Sequence, residues 1–170
     1  MAVLERARLQ GSPLAKSIVL GIGNVLLSDD GAGVRVAEAL RERVAGRPDL
    51  HLLDGGTLSF LLLEYLSGAR DLIVIDAAEI GAAPGEVRVF EGESMDVFLA
   101  DTARQRSVHE VGLLDLLTMA RLRDELPEKR ALICIQAAEV RWGLELTPAV
   151  GAAVPAAANE AERLLDRWRP

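Results

Sequence analysis

The chain of 170 residues has a single cysteine, Cys134, so no intrachain disulfide framework can form. That cysteine sits in the apolar run ALICIQA, where a thiol packs as a small hydrophobe. Aromatic residues make up only 4% of the chain, and 19 Lys and Arg face 26 Asp and Glu, for a formal charge of -7. No basic cluster is interleaved with aromatics, so the electrostatic footprint of a nucleic-acid binder is missing. No apolar run reaches the ~20 residues needed to span a bilayer, and a cytoplasmic, monomeric protein without membrane or nucleic-acid partners is expected. Only two histidines occur, His51 and His109. HExxH, G-x-S-x-G and cysteine-histidine signatures are absent, which removes the common hydrolase alternatives.

Half of the residues are apolar, enough to bury one sizeable core. Residues 1–15, which mix charge through a short apolar stretch, are expected to be a flexible N-terminal tail, and residues 16–170 a single domain. Strand-length apolar runs recur in SIVLGIG from Ser17, LHLLD from Leu50, DLIVIDA from Asp71, EVRVF from Glu86 and ALICIQA from Ala131. Several are apolar throughout, as befits strands covered on both faces. Helical stripes alternate with them: Val34, Ala37, Leu40 and Val44; Leu58, Leu61, Leu62 and Tyr65; Val111, Leu114, Leu117 and Met119. A long last helix is expected over Ala149 to Trp168, with Thr147 as its N-cap and Pro148 at its first position. This alternation predicts an α/β fold with a mostly parallel sheet and helices on both sides. The Pro84-Gly85 turn leaves too little chain for a crossover helix, so the fourth strand is expected to be an antiparallel edge. The polar stretch from Glu91 to Arg106 reads as an ordered loop flanking a site.

Open parallel sheets bind ligands beyond the carboxyl ends of their strands, where Asp29, Asp30, Asp54 and Asp76 fall. One reading of GIGNVLLSDDGAG at Gly21 to Gly33 is a dinucleotide turn, with Asp54 on a ribose. The third glycine of that fingerprint is missing, since Leu26 holds its place, and the helix begins several residues late. Two aspartates would also repel a pyrophosphate. A nucleotide-binding module of doubly wound type therefore stays as the alternative.

The second reading concerns the carboxylates. One of Asp29 and Asp30 is expected to cap the first helix or to act as a partner of its dipole. Asp76, at the end of a central strand, needs donors or a cation to offset its desolvation. His109 in SVHEVGLLDLL would lie in the first turn of a helix capped by Ser107, where the dipole favours neutral, metal-binding imidazole. Two carboxylates and one imidazole with open positions suit a divalent ion such as zinc or nickel, and hydrolysis.

Five ordered blocks, GIGNVLLSDDGAGVRVAEAL, DGGT at Asp54 to Thr57, LIVIDA with Asp76, SVHEVGLLDLL with His109, and LTPAV at Leu146 to Val150, resemble the hydrogenase maturation proteases over residues 17 to 165. The resemblance implies an α/β/α sandwich. It also implies an endopeptidase that removes the C-terminal extension of a nickel-iron hydrogenase large-subunit precursor once nickel is in place. Asp30, Asp76 and His109 are the implied catalytic and metal-ligating residues; Asp54, Gly55, Gly56 and Thr57 are implied in substrate recognition. The metal would be nickel supplied by the substrate, with a resident zinc or another divalent ion as the other option. Asp29, Glu110 and Glu79 remain alternatives for a general base. Two positions depart from the family pattern: Ala138 in QAAEV, where a proline is expected, and Ser59, where relatives often have glycine.

Overall fold

The structure, a computed structural model, describes residues 16–56, 62–101 and 108–169, and for 108–111 the backbone alone. Five strands, β1 (Lys16–Ile22), β2 (Leu50–Gly56), β3 (Ala69–Ala78), β4 (Val87–Glu91) and β5 (Lys129–Gln136), build one sheet in the order β2-β1-β3-β5-β4. All neighbours run parallel except β4, which pairs antiparallel with β5. The expected antiparallel edge therefore forms, through a turn in which Glu86 N–H donates to Ala83 O and Gly85 N–H reaches Gln136 O. The helices are α1 (Ala32–Arg43), α2 (Leu63–Leu66), α3 (Glu93–Asp101), α4 (Val108–Leu122) and α5 (Pro148–Trp168).

Side chains alternate between the two faces of the sheet because strand residues have a period of two. Val19, Ile73, Ile75, Ile133 and Ile135 face one layer, where Val36 and Leu40 of α1 pack with Ala157, Ala161, Leu164 and Trp168 of α5. Ile18, Leu20, Ile22, Leu72, Val74, Leu132 and Cys134 face the other, against Leu63 and Leu66 of α2, Met95 and Leu99 of α3, and Leu113, Leu116 and Ala120 of α4. These three layers form the α/β/α sandwich. Cys134 is fully buried, as its apolar setting predicts.

Two expectations are corrected. The polar stretch after β4 is not a loop throughout: α3 occupies Glu93–Asp101, because Met95 and Leu99, spaced four apart, bury completely. In α4 the buried stripe is Leu113, Leu116, Leu117 and Ala120, while Met119 is 41% exposed. The segment is apolar nearly all round, so its periodicity does not set its phase. Leu58 and Leu61 of the second stripe, and the proposed cap Ser107, lie outside the described residues. No helix among the described residues is long and apolar enough to cross a membrane.

Candidate functional site

From β1 the chain passes through α1 to β2 on one side, then returns to β3 on the other. That change of direction makes the carboxyl ends of β1 and β3 the switch point, where open α/β sheets form their ligand crevice. Glycines bring its walls together. A Cβ on Gly33 would lie 2.2 Å from Ile75 O and 2.4 Å from Ile22 O, so the start of α1 rests directly on main-chain carbonyls near the carboxyl ends of both strands. Gly23, at φ +125°, lies so close to the next turn that a Cβ would meet Asp30 O at 1.8 Å. The close helix approach that a dinucleotide fingerprint assigns to its third glycine is thus made by Gly33, with a 3-10 turn at Ser28–Gly31 placed ahead of α1.

That turn carries both aspartates, and neither caps α1. The N-cap is Gly31, with no side-chain cap bond, so the cap half of the expectation for this pair is not met, while both acids stand in the 3-10 turn that leads into the helix. Asp30 is 6% exposed, and its Oδ2 accepts the Asn24 N–H at 2.8 Å. Asp29 is fully buried and turns the other way. Its Oδ1 accepts the Thr147 N–H at 2.7 Å; its Oδ2 accepts the N–H groups of Ala138 at 2.9 Å and Glu139 at 3.1 Å, and the Thr147 hydroxyl at 2.9 Å. Burial pushes the Asp29 carboxyl up, but the N–H donors of Thr147, Glu139 and Ala138 and the Thr147 hydroxyl outweigh it, and it is held below its ordinary value. A fully buried carboxylate that already accepts four hydrogen bonds and is held below its ordinary value is a poor acceptor of a proton from water, so Asp29 is not suited to be the general base. Thr147 stands at the N-cap position of α5, before Pro148, makes no side-chain cap bond, and donates its hydroxyl to Asp29. Ala138 contributes an N–H that a proline in its place would lack.

Asp76 lies two residues before the end of β3, within its buried run, at 1% exposure. It is paired in register with Cys134 and shares the parity of Leu72 and Val74. Its side chain therefore leaves the sheet toward the layer containing α4. The backbone of His109 lies in the first turn of that helix; its imidazole, like the side chain of Glu110, is outside the described set. Among the described side chains no three His, Cys, Asp or Glu residues converge as a metal-binding group, so a three-ligand protein site depends on a residue beyond that set, such as His109.

Asp54 lies at the same end of the sheet, exposed, with Oδ1 accepting the Gly56 N–H at 2.9 Å. Gly55 packs over β1, where a Cβ would meet Leu20 and Ile22, and Gly56 O accepts the Gly23 N–H at 2.8 Å. Thr57 and Ser59 lie outside the described residues. Glu79 is exposed and accepts from Gln136 Nε2 at 3.0 Å, while Gln136 Oε1 accepts the N–H groups of Ile80 and Ala82. The expectation that Asp30, Asp54 and Asp76 share one end of the sheet therefore holds. The anchoring role of Asp29 was not foreseen, because its partners are separated from it by 109 to 118 residues and leave no local pattern.

A three-layer α/β/α protein with an acidic crevice at the switch between β1 and β3 is thus the class that fold and site define. The chain belongs to the hydrogenase maturation protease family, whose model matches residues 34–164, and the protein is accordingly a hydrolase, a protease of hydrogenase maturation. It is 36% identical to the hydrogenase expression/formation protein HoxM of Cupriavidus necator over 89% of this chain and 74% of that one. It is 33% identical to the hydrogenase 2 maturation protease of Escherichia coli, over 84% and 86% respectively. Among solved structures, the hydrogenase maturating endopeptidase HYBD of E. coli superposes with a TM-score of 0.83 at 31% identity, covering 89% of this chain and 93% of that chain. The [NiFe] hydrogenase maturation protease HybD of Thermococcus kodakarensis gives 0.73 at 32% identity, covering 88% and 98%. A nucleotide-binding role is not favoured by either the glycine geometry or the family.

Proposed function

We propose that the protein removes the C-terminal extension of a nickel-iron hydrogenase large-subunit precursor, and does so only after nickel has been inserted. The observation that carries this reading is the pair of carboxylates, Asp30 and Asp76, withdrawn from water to 6% and 1% exposure at the open end of a parallel sheet. Carboxylates so placed suit a cation, because burial in low dielectric is offset by an adjacent positive charge. His109, on the layer toward which Asp76 points, completes a set of two oxygens and one nitrogen. A set with a single nitrogen and no thiolate holds zinc less tightly than a three-imidazole or cysteine-rich site, which favours gripping a metal the substrate already carries. Nickel in the precursor would polarise the scissile carbonyl as a Lewis acid. Asp30 and Asp76 orient that centre, the Asn24 N–H holds the Asp30 carboxylate in place, and Asp54 with Gly55, Gly56 and Thr57 recognises the flanking precursor chain.

Cleavage of purified precursor with and without nickel tests the reading, together with the metal content of the purified enzyme. Largely metal-free enzyme that cuts only the nickel-loaded precursor, with no added ion, is the expected result. About one equivalent of tightly held zinc or nickel, with cleavage of nickel-free precursor, would replace borrowed metal by a resident one. His109→Ala and Asp76→Asn are expected to abolish cleavage while remaining folded; full activity in both would remove the site assignment.

A further inference from the structure

Seven large apolar side chains stand exposed among the described residues, and four of them gather on one rim: Leu26 at 48%, Val140 at 56%, Trp142 at 78% and Leu144 at 59%. They come from two segments far apart in sequence that are stitched together. Leu27 and Gly143 form a parallel bridge, the Ser28 N–H donates to Gly143 O at 2.8 Å, and the Gly143 N–H donates to Leu26 O at 3.0 Å. The Ser28 hydroxyl donates to Glu139 O and accepts the Arg141 N–H, each at 3.1 Å. Ser28 holds φ +44° to do so, an uncommon conformation for a side chain other than glycine. Directly after it come Asp29, which binds the N–H groups on either side of this lip, and Asp30, the candidate ligand.

We propose that this lip seats a short apolar stretch of the precursor polypeptide adjoining the cleaved bond. The inference rests on the proposed site at Asp30 and Asp76. Its first support is continuity: the lip and the candidate ligand share one backbone segment, with Leu26 four positions before Asp30. Its second is fixity, since a rim held by main-chain bonds loses little freedom on binding. Its third is area. One indole and three aliphatic side chains offer on the order of 400 Å², half of the ~800 Å² per partner of a standard stable interface. That is too small for a second copy of this chain and of the size that a few extended residues cover.

The test is single-turnover cleavage of nickel-loaded precursor over a range of enzyme concentrations, with Trp142→Ser/Leu144→Ser and, on the opposite segment, Leu26→Ser. The enzyme concentration at half-saturation should rise about tenfold or more in the double variant, as for truncation of an aromatic anchor, with the maximal rate within about twofold of wild type. In enzyme carrying a photoreactive phenylalanine analogue at position 142, the crosslink should map to the precursor peptide containing the cleaved bond. Unchanged half-saturation in both variants overturns the proposal. So does a fall in maximal rate alone, a crosslink elsewhere on the precursor, or self-association abolished by the variants without an effect on half-saturation. Failure of the Asp30, Asp76 and His109 assignment would instead appear as retained cleavage in Asp76→Asn and His109→Ala with these lip variants still impaired.

Discussion

Replacing Asp29 by asparagine isolates the knot that joins the site loop to the segment before α5. Four donors converge on its two oxygens, three of them main-chain N–H groups, and an amide has only one oxygen to offer. With that oxygen in the place of Oδ2, the Ala138, Glu139 and Thr147 hydroxyl bonds persist without charge assistance, and the amide NH2 confronts the Thr147 N–H. One stranded buried donor costs about 1–3 kcal/mol, and converting three charge-assisted bonds to neutral ones about 1 kcal/mol each. Relief of burying a carboxylate offsets part of this, so a net loss of about 2–4 kcal/mol is expected. In a domain of this size that lowers Tm by about 5–15 °C. Urea unfolding measures it directly, with an unchanged m-value. Native-state hydrogen exchange should show the Ala138, Glu139 and Thr147 amides losing protection before those of Val74 and Ile133 in the sheet. Thr147→Val, which removes only the hydroxyl, should cost about 1 kcal/mol, and both variants should slow cleavage at temperatures where they are folded. A loss below about 0.5 kcal/mol for Asp29→Asn, the range of an ordinary surface change, with protection unaltered, would refute the anchoring account. Full stability with selective loss of cleavage would restore Asp29 as a catalytic group.

Gly33→Ala should fold poorly or lose at least ~3 kcal/mol, because its Cβ would press on two main-chain carbonyls that cannot rotate away; equilibrium unfolding within 1 kcal/mol of wild type, about one methylene's worth, would show that α1 can lift off the sheet freely. Asp96 on α3 is bound by Arg130 through two nitrogens, at 3.1 and 2.6 Å, and by Arg121 at 2.7 Å. Burial pushes its carboxyl up, yet the Arg130 hydrogen bonds and the charges of Arg130 and Arg121 leave it below 3.8. A depressed carboxylate contributes stability that is full above its unfolded value and is lost as pH falls through its native one. Asp96→Asn should thus lower stability at neutral pH and flatten the decline below 3.8, as read from unfolding free energies against pH; an unchanged acid limb would show that other groups govern it. Asp54→Ala should weaken precursor binding or blur discrimination between precursors without unfolding the protein, and normal processing of every precursor would reduce DGGT to a strand-to-helix turn.

The sheet was legible because its signals are local. Runs such as LIVIDA announce a buried strand without reference to anything else in the chain, and Pro84-Gly85 excludes a crossover helix by length alone. The carboxyl-end placement of Asp30, Asp54 and Asp76 followed from strand direction. What failed to show were features set by tertiary packing. The face that α4 buries could not be read from a segment with Leu113, Leu114, Leu116 and Leu117 on several sides. The helix α3 lay hidden because Met95 and Leu99 are the two side chains it buries. Thr147 has the composition of an N-cap, yet it makes no cap bond and its hydroxyl donates to Asp29, from another part of the fold. The apolar lip was equally invisible, since Leu26 and Trp142 are unremarkable until a main-chain bridge sets them side by side.

The span of the Asp29 knot bears on when the protein becomes competent as well as on how stable it is. Its bonds join residues 109 to 118 positions apart, and loop closure over such separations follows the pairing of nearer segments. During synthesis the loop carrying the two aspartates emerges first, and Ala138, Glu139 and Thr147 follow 109 to 118 residues later. A partly made chain can assemble β1, α1 and β2 but has nothing to fasten the turn that presents Asp30. Proteolytic capacity should consequently arise as a late, all-or-none event, detectable as activity that lags behind helix formation in stopped-flow refolding, so that an incomplete chain has no means of cutting prematurely.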